Sequence, residues 1–223
     1  MLQRVTLSMG REDIDYFRTR VLRWGRQNFE HFPWRSTANK WHALVAEIML
    51  QRTKADQVEP VYVDFVGLYD SPKDFLDNPV NVFSRLGLSA RNEQFREFNR
   101  KIAERGIPST KADLLQLPGI GEYIASAFLS LHCGVRETLI DSNIVRVYGR
   151  FFGFTTDAET RRKKWFRQLA DRVTPMGNHK AFNYALIDFS RNVCKLRPDH
   201  SACPVRERCC FFLATRVNTV QTS

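Results

Sequence analysis

Residues 117–128 read LPGIGEYIASAF, and the fold follows from how they are read. A proline stands before two glycines that bracket one isoleucine, and an apolar pattern of helical period starts at once. Ile124, Ala127, Phe128 and Leu131 fall at i, i+3, i+4 and i+7. Upstream, Asp113, Leu114 and Leu117 outline a short helix that ends at Leu-Pro-Gly. Glycine adopts positive φ without a Cβ clash and leaves neighbouring amides uncovered. Amides at the mouth of a helix, reinforced by its dipole, attract anions. On this stretch alone two readings stand: a plain helical turn, or a hairpin whose amides hold a phosphate.

The same helical period recurs outward from this turn. Trp41, Leu44, Val45, Ile48 and Met49 form one apolar face; Ile144, Val147, Tyr148, Phe151 and Phe152 form another. No stretch alternates with period two, so the predicted class is all-α. Breaks are predicted at HFPWR (31–35), GLS (87–89), RGIPST (105–110) and VTPMGN (173–178). The 223 residues suffice for one large domain or two small ones with a well-buried core. A hydrophobic content of 43% with 17 Phe excludes a disordered chain. No run approaches about 18 apolar residues, which excludes a helical membrane span. The opening MLQRVTLSMGREDID lacks the apolar core of a secretory signal and predicts a cytoplasmic, nucleoid-associated protein.

Charge and cysteine usage narrow the partners. Thirty-four Lys and Arg against 24 Asp and Glu give a net charge of +10, the sign expected for a polyanionic partner. The basic residues are spread out except in RRKKWFR (161–167), which reads equally as a solvated helix face. Four of the five Cys follow Val193, in VCKLRPDHSACPVRERCC. Without a secretion signal, such clustering favours metal ligation over disulfides. Cys133 lies in the apolar SLHCGV and is predicted to be a buried, unreactive thiol.

Eighteen residues beyond Tyr123 stands Asp141, in LIDSNIVRVYGRFFG. It precedes a helical run and reads as an N-cap. Beside a phosphate-binding hairpin, a carboxylate so placed can also stabilise a cationic sugar in a transition state. With FPWR (32–35), AEIMLQRTKADQV (46–58), GLSARNEQ (87–94), LPGIG, IDSNIVRV and the terminal cysteines in this order, the chain resembles the HhH-GPD superfamily of DNA glycosylases, the endonuclease III/MutY family. The resemblance covers most of the chain. It implies a two-domain helix–hairpin–helix DNA glycosylase fold, with the hairpin at about 107–130. A helical barrel domain is implied at 32–135, and 1–31 plus 136–223 are implied to form a second helical domain that carries a cysteine-rich iron–sulfur loop at 194–210.

The resemblance also implies roles. Asp141 matches the catalytic aspartate that stabilises or briefly traps the oxocarbenium-like sugar. Asn143 matches an asparagine that supports the site in the adenine-removing branch. Glu47, alternatively a solvated helix-flank residue, matches the acid that protonates or orients the departing base. Tyr123 stands where endonuclease III-type members carry the Schiff-base lysine. A phenol forms no imine, so the chain is expected to remove the base and leave the backbone intact. Tyrosine here resembles the G:T mismatch thymine glycosylases of the MIG type, whereas MutY enzymes place serine. Gln51 matches a side chain that enters the duplex where the base has left, and Leu88 matches a second wedge that presses near the opposite base. Arg52, Ser89, Leu117, Gly119 and Gly121 complete the expected DNA-binding set.

The family's cysteine pattern, C-x6-C-x2-C-x5-C, ligates a [4Fe–4S] cluster. Here Cys203 and Cys209 keep the last spacing, Cys194 stands one residue closer than usual, and His200 replaces the second cysteine. A cluster on Cys194, His200, Cys203 and Cys209 is the first expectation. A cluster using Cys210, a Cys3His zinc site, and no metal are the alternatives. A monovalent cation at the hairpin is left open. The expected partner is double-stranded DNA with a mismatched or damaged base, bound by a monomer and without a membrane. The expected substrate is thymine or uracil opposite guanine. Adenine opposite guanine or 8-oxoguanine is the runner-up, and the sequence stops soon after the cysteines, where MutY enzymes continue into a further domain. A non-catalytic damage-binding protein is the alternative of another class.

Overall fold

The computed structural model describes residues 10–220, and side chains through Thr215. The first nine residues of the stretch read for a secretory signal lie outside the described residues. Every regular element among the described residues is helical: α1 (Arg11–Gln27), α2 (Lys40–Met49), α3 (Ala55–Leu68), α4 (Pro72–Asp77), α5 (Asn92–Arg105), α6 (Lys111–Leu114), α7 (Glu122–Ala127), α8 (Ser142–Phe152), α9 (Lys164–Val173), α10 (His179–Asn192) and α11 (Cys210–Val220). A π-helical turn, Phe128–His132, continues α7. All four predicted breaks fall between or at the ends of these helices. No helix is long and apolar enough to cross a membrane among the described residues. The chain divides into two compact units, residues 31–135 and the remainder.

In the 31–135 unit, α2 is the central element. The apolar period predicted one buried face, but all nine residues from Trp41 to Met49 are buried. α3, α7, the π-turn and the 3-10 turn Pro33–Arg35 pack around it. The Asn39 side chain caps α2 by accepting the amides of Trp41 and His42 at 2.9 and 3.2 Å. Total burial forces the polar side chains of α2 to find partners. Trp41 Nε1 donates to Asn99 Oδ1 at 2.8 Å, and His42 Nε2 lies 2.7 Å from the Tyr69 carbonyl. Phe65, Phe75 and Phe95 pack with tilted or edge-on rings at 5.1–5.9 Å, completing the core beside α3 and α5.

α7 and its π-turn end in a left-handed glycine. Gly134 has φ +73°, and the Val135 amide reaches back to the Leu129 carbonyl at 3.1 Å. This stop turns Cys133 outward. It is exposed, so the predicted buried thiol is corrected; the apolar run ends one residue before it, at His132.

In the other unit, α8 is strongly amphipathic. It buries Ile144, Val145, Val147, Tyr148, Phe151 and Phe152 and ends at Gly153, φ +80°. Phe17 of α1 meets Phe151 at 4.8 Å and Tyr148 at 5.7 Å. The basic run at 161–167 is a solvated helix start. Lys163 and Arg162 pair locally with Asp157 and Glu159, both at 2.7 Å, and only Phe166 of the run is buried. α1 and α10 approach so closely at Gly25 that a Cβ there would lie 2.3 Å from the Ala185 Cβ. Gly25→Val should therefore lower the unfolding free energy by about 1–3 kcal/mol in urea denaturation, the usual cost of overpacking; unchanged stability would contradict this packing.

Candidate functional site

The hairpin is built by local chemistry. Thr110 caps α6 by accepting the Asp113 amide at 3.2 Å, and two successive turns follow, Leu117 N–H to Leu114 O and Ile120 N–H to Leu117 O. Gly119 takes φ +82°, a conformation that favours glycine. Gly121 does not: at φ −103° and ψ 177° it is extended, and its place before α7 leaves nothing within 4 Å of where a Cβ would stand. The first glycine serves the backbone and the second keeps the helix mouth open. Leu117 buries its side chain in the core and contributes its backbone to the turn. Tyr123 is half-buried, two residues into the α7 entrance.

Two expected DNA-binding residues, Gln51 and Gly119, meet at this turn, and Arg91 joins them. Gln51 Nε2 donates to the Gly119 carbonyl at 3.2 Å, and Arg91 donates to the Gln51 carbonyl at 3.2 Å. Ile48, Phe83 and Gln94 line the small cleft beside them. Arg52 is exposed and held at φ +63°, a left-handed conformation uncommon for a non-glycine residue. Burial lowers the Arg91 pKa first, and the charge of Arg52 lowers it further; the two guanidiniums form a repelling pair that an anion would relieve. Leu88 is half-buried, follows left-handed Gly87, and donates its amide to Phe83 O at 2.8 Å. Ser89 is exposed and bonds Ser84. Arg91 and Asn92 escaped the sequence reading although both lie in the GLSARNEQ stretch. Asn92 ties that loop to Phe83 N–H and Ser84 Oγ, each at 3.0 Å.

Glu47 is not a solvated flank residue. It is buried on α2, with Oε1 3.2 Å from His132 Nε2.

In the other unit, Asp141 is the N-cap of α8. Its Oδ1 accepts the Ile144 amide at 2.7 Å and its Oδ2 accepts Asn143 Nδ2 at 2.9 Å. Asn143 Oδ1 in turn accepts from Arg146 at 2.8 Å, and Arg146 also donates to Cys194 O and Ser190 O. The aspartate, the asparagine and the start of the cysteine loop thus belong to one hydrogen-bonded chain. Arg146 was missed in the sequence, where it is one basic residue among many. Burial lowers its pKa, partly offset by the neighbouring Cys194 and Asp141.

The cysteine loop brings three thiols near one another. Burial pushes Cys203 up to about 11, and the neighbouring Cys209 and Cys194 add to the rise. Cys209 is raised by burial, with Cys194 and Cys210 contributing. Arg150 donates to Lys195 O and Leu196 O at 2.6 and 2.9 Å, approaches Cys194 Sγ at 3.6 Å, and accepts from Cys209 Sγ through its carbonyl at 3.4 Å. His200 packs its ring against Phe212, 4.9 Å between centroids. Among the described residues, no three His, Cys, Asp or Glu converge as a single ion requires.

Comparison with known proteins places this geometry. Residues 103–131 match the helix-hairpin-helix motif. The chain is similar to the thymine/uracil-DNA glycosylase of Pyrobaculum aerophilum, 33% identical over 91% of this chain and 95% of the relative. It is also similar to the adenine DNA glycosylase of Buchnera aphidicola, 30% identical over 88% of this chain but 58% of that protein. The solved structure of a thermostable thymine-DNA glycosylase superposes with a TM-score of 0.84 and 30% identity, over 91% of this chain and 98% of the other.

The Arg146 fan yields a stability test. Arg146→Ala should cost about 1–3 kcal/mol in urea denaturation and speed amide exchange over residues 193–199. Exchange unchanged in that loop would show that it is fastened elsewhere.

Proposed function

We propose a reaction for this chain from the family to which it belongs, the helix–hairpin–helix DNA glycosylases of the thymine/uracil type. It is a DNA N-glycosylase of base excision repair, acting on mismatched bases. The substrate we propose is thymine or uracil opposite guanine in double-stranded DNA, bound by a monomer at the nucleoid. The observation that carries the reaction is the fixed carboxylate of Asp141. The Ile144 amide and Asn143 hold its two oxygens at 2.7 and 2.9 Å, so the charge is oriented before substrate arrives.

The steps follow from the side chains. The target base leaves the stack, at a cost of a few kcal/mol that is least at a mismatch. Gln51 enters the gap and Leu88 presses near the opposite base, while the amides around Gly119 and Gly121, with Arg52 and Arg91, take the phosphates. The C1′–N bond breaks with its electron pair going to the base, which receives a proton from Glu47. Asp141 stabilises the oxocarbenium-like sugar until water adds at C1′. Tyr123 offers no amine, so the strand stays intact. Adenine removal is the second reading, favoured by Asn143 and by the likeness to adenine DNA glycosylases.

We further propose a [4Fe–4S] cluster on Cys194, Cys203 and Cys209, with His200 or Cys210 as fourth ligand. Cys194, Cys203 and Cys209 lie within electrostatic reach of one another, and the Arg150 guanidinium stands 3.6 Å from Cys194 Sγ, which suits an anionic cluster. The cluster would supply a clamp on the loop and take no part in bond cleavage. Protein purified anaerobically should be brown and contain iron and acid-labile sulfide in near-equal amounts; a colourless preparation with stoichiometric zinc would contradict this.

The reaction is tested with labelled duplexes carrying G:T, G:U or A:G, treated with alkali after incubation. We expect alkali-dependent cleavage at thymine and uracil, no adduct trapped by borohydride, and a loss of about 100-fold or more for Asp141→Asn with DNA binding retained. Cleavage only at adenine would replace the first reading by the second. Activity unchanged in Asp141→Asn would overturn both.

A further inference from the structure

His132 has no task in the scheme above, yet it faces Glu47 inside the 31–135 unit. The two side chains are 3% and 5% exposed, and His132 Nε2 lies 3.2 Å from Glu47 Oε1. They come from different elements, 85 residues apart in the chain. His132 ends the π-turn that closes α7, a local irregularity common at functional sites. Its backbone is fixed as well: the Lys40 ammonium donates to its carbonyl, and the Cys133 amide bonds the Leu129 carbonyl in the preceding turn.

The two side chains form one buried hydrogen-bonded pair. With one proton it is neutral overall, as carboxyl and imidazole or as carboxylate and imidazolium. The distance allows that proton to sit on either atom of a single hydrogen bond.

We propose that His132 is a positioning residue for Glu47: it fixes the carboxyl rotamer and shares the proton that Glu47 delivers to the departing base. The inference rests on the glycosylase reading and deepens it. As the C1′–N bond breaks, the electron pair leaves with the base and Glu47 gives up the shared proton to it. Water then forms the O–C1′ bond, and the proton it releases returns to the Glu47–His132 pair. Base–sugar plus water becomes free base plus sugar hydroxyl, and the pair ends with one proton as it began.

The test compares wild type, His132→Gln, Glu47→Gln and the double variant in single-turnover excision from G:T and G:U duplexes, together with DNA Kd. Glutamine keeps a hydrogen-bonding group at 132 and removes the titratable one. We expect His132→Gln to slow excision by about 10- to 100-fold, a fraction of the usual acid–base contribution, with Kd within about twofold. In the Glu47→Gln background the same substitution should cost nothing more. Excision by His132→Gln at the wild-type rate, or losses that multiply in the double variant, would overturn the proposal.

A second readout needs neither activity nor the His132 variant. The imidazole Nε2 resonance of His132, followed by nitrogen-15 NMR, should move in Glu47→Gln; an unmoved resonance would overturn the pairing. If wild type released no base from any duplex while the resonance still moved, the glycosylase reading would fail, and proton delivery with it. If wild type were active and His132→Gln equally so, the glycosylase reading would stand and only this proposal would fall.

Discussion

A helix buried on every side leaves no polar group to solvent, and α2 imposes that constraint on the 31–135 unit. Each polar side chain along Trp41–Met49 must be met by another element. Asn99 on α5 meets Trp41, the Tyr69 carbonyl after α3 meets His42, and His132 on the π-turn meets Glu47. These three contacts fix three surrounding elements in register with α2. They also explain how a carboxyl can be kept inside an apolar core, where an unpaired one would cost several kcal/mol. The interactions that organise the unit therefore also orient its acidic side chain, and packing and chemistry share one element.

The remaining unit solves a related problem at the head of α8. A helix start has amides without intrahelical acceptors, and Asp141 supplies one. Its second oxygen is held by Asn143, which is held by Arg146, which fastens the chain around Ser190 and Cys194. A substitution far along this series reaches the carboxylate through successive hydrogen bonds. Arg150, one turn further on α8, spans the next carbonyls of the cysteine loop and lies over Phe211 at 4.9 Å. Two arginines on one helix thus tie the loop to the element that carries the aspartate.

What the sequence made legible was local. The hairpin, the Asp141 cap, the chain breaks and the all-helical class rest on turn chemistry, capping and period, and each shows within a dozen residues. What escaped was set by distant partners. The Arg91–Gln51, Arg146–Cys194 and His132–Glu47 contacts span 40, 48 and 85 residues, and neither period nor composition signals them. One misplacement has the same origin: Cys133 lies in an apolar run but past the π-turn. The divergent cysteine pattern was visible at once. Its physical meaning depends on how close the thiols come and on where the His200 ring packs.

The reaction leaves one product that identifies it directly. A duplex in which only the thymine opposite guanine carries heavy isotope would be incubated with the purified chain, and the small-molecule fraction analysed by mass spectrometry. Bond cleavage at C1′ without strand scission predicts labelled free thymine and a strand of unchanged length. Label retained in the DNA, or released on a sugar–phosphate fragment, would contradict it.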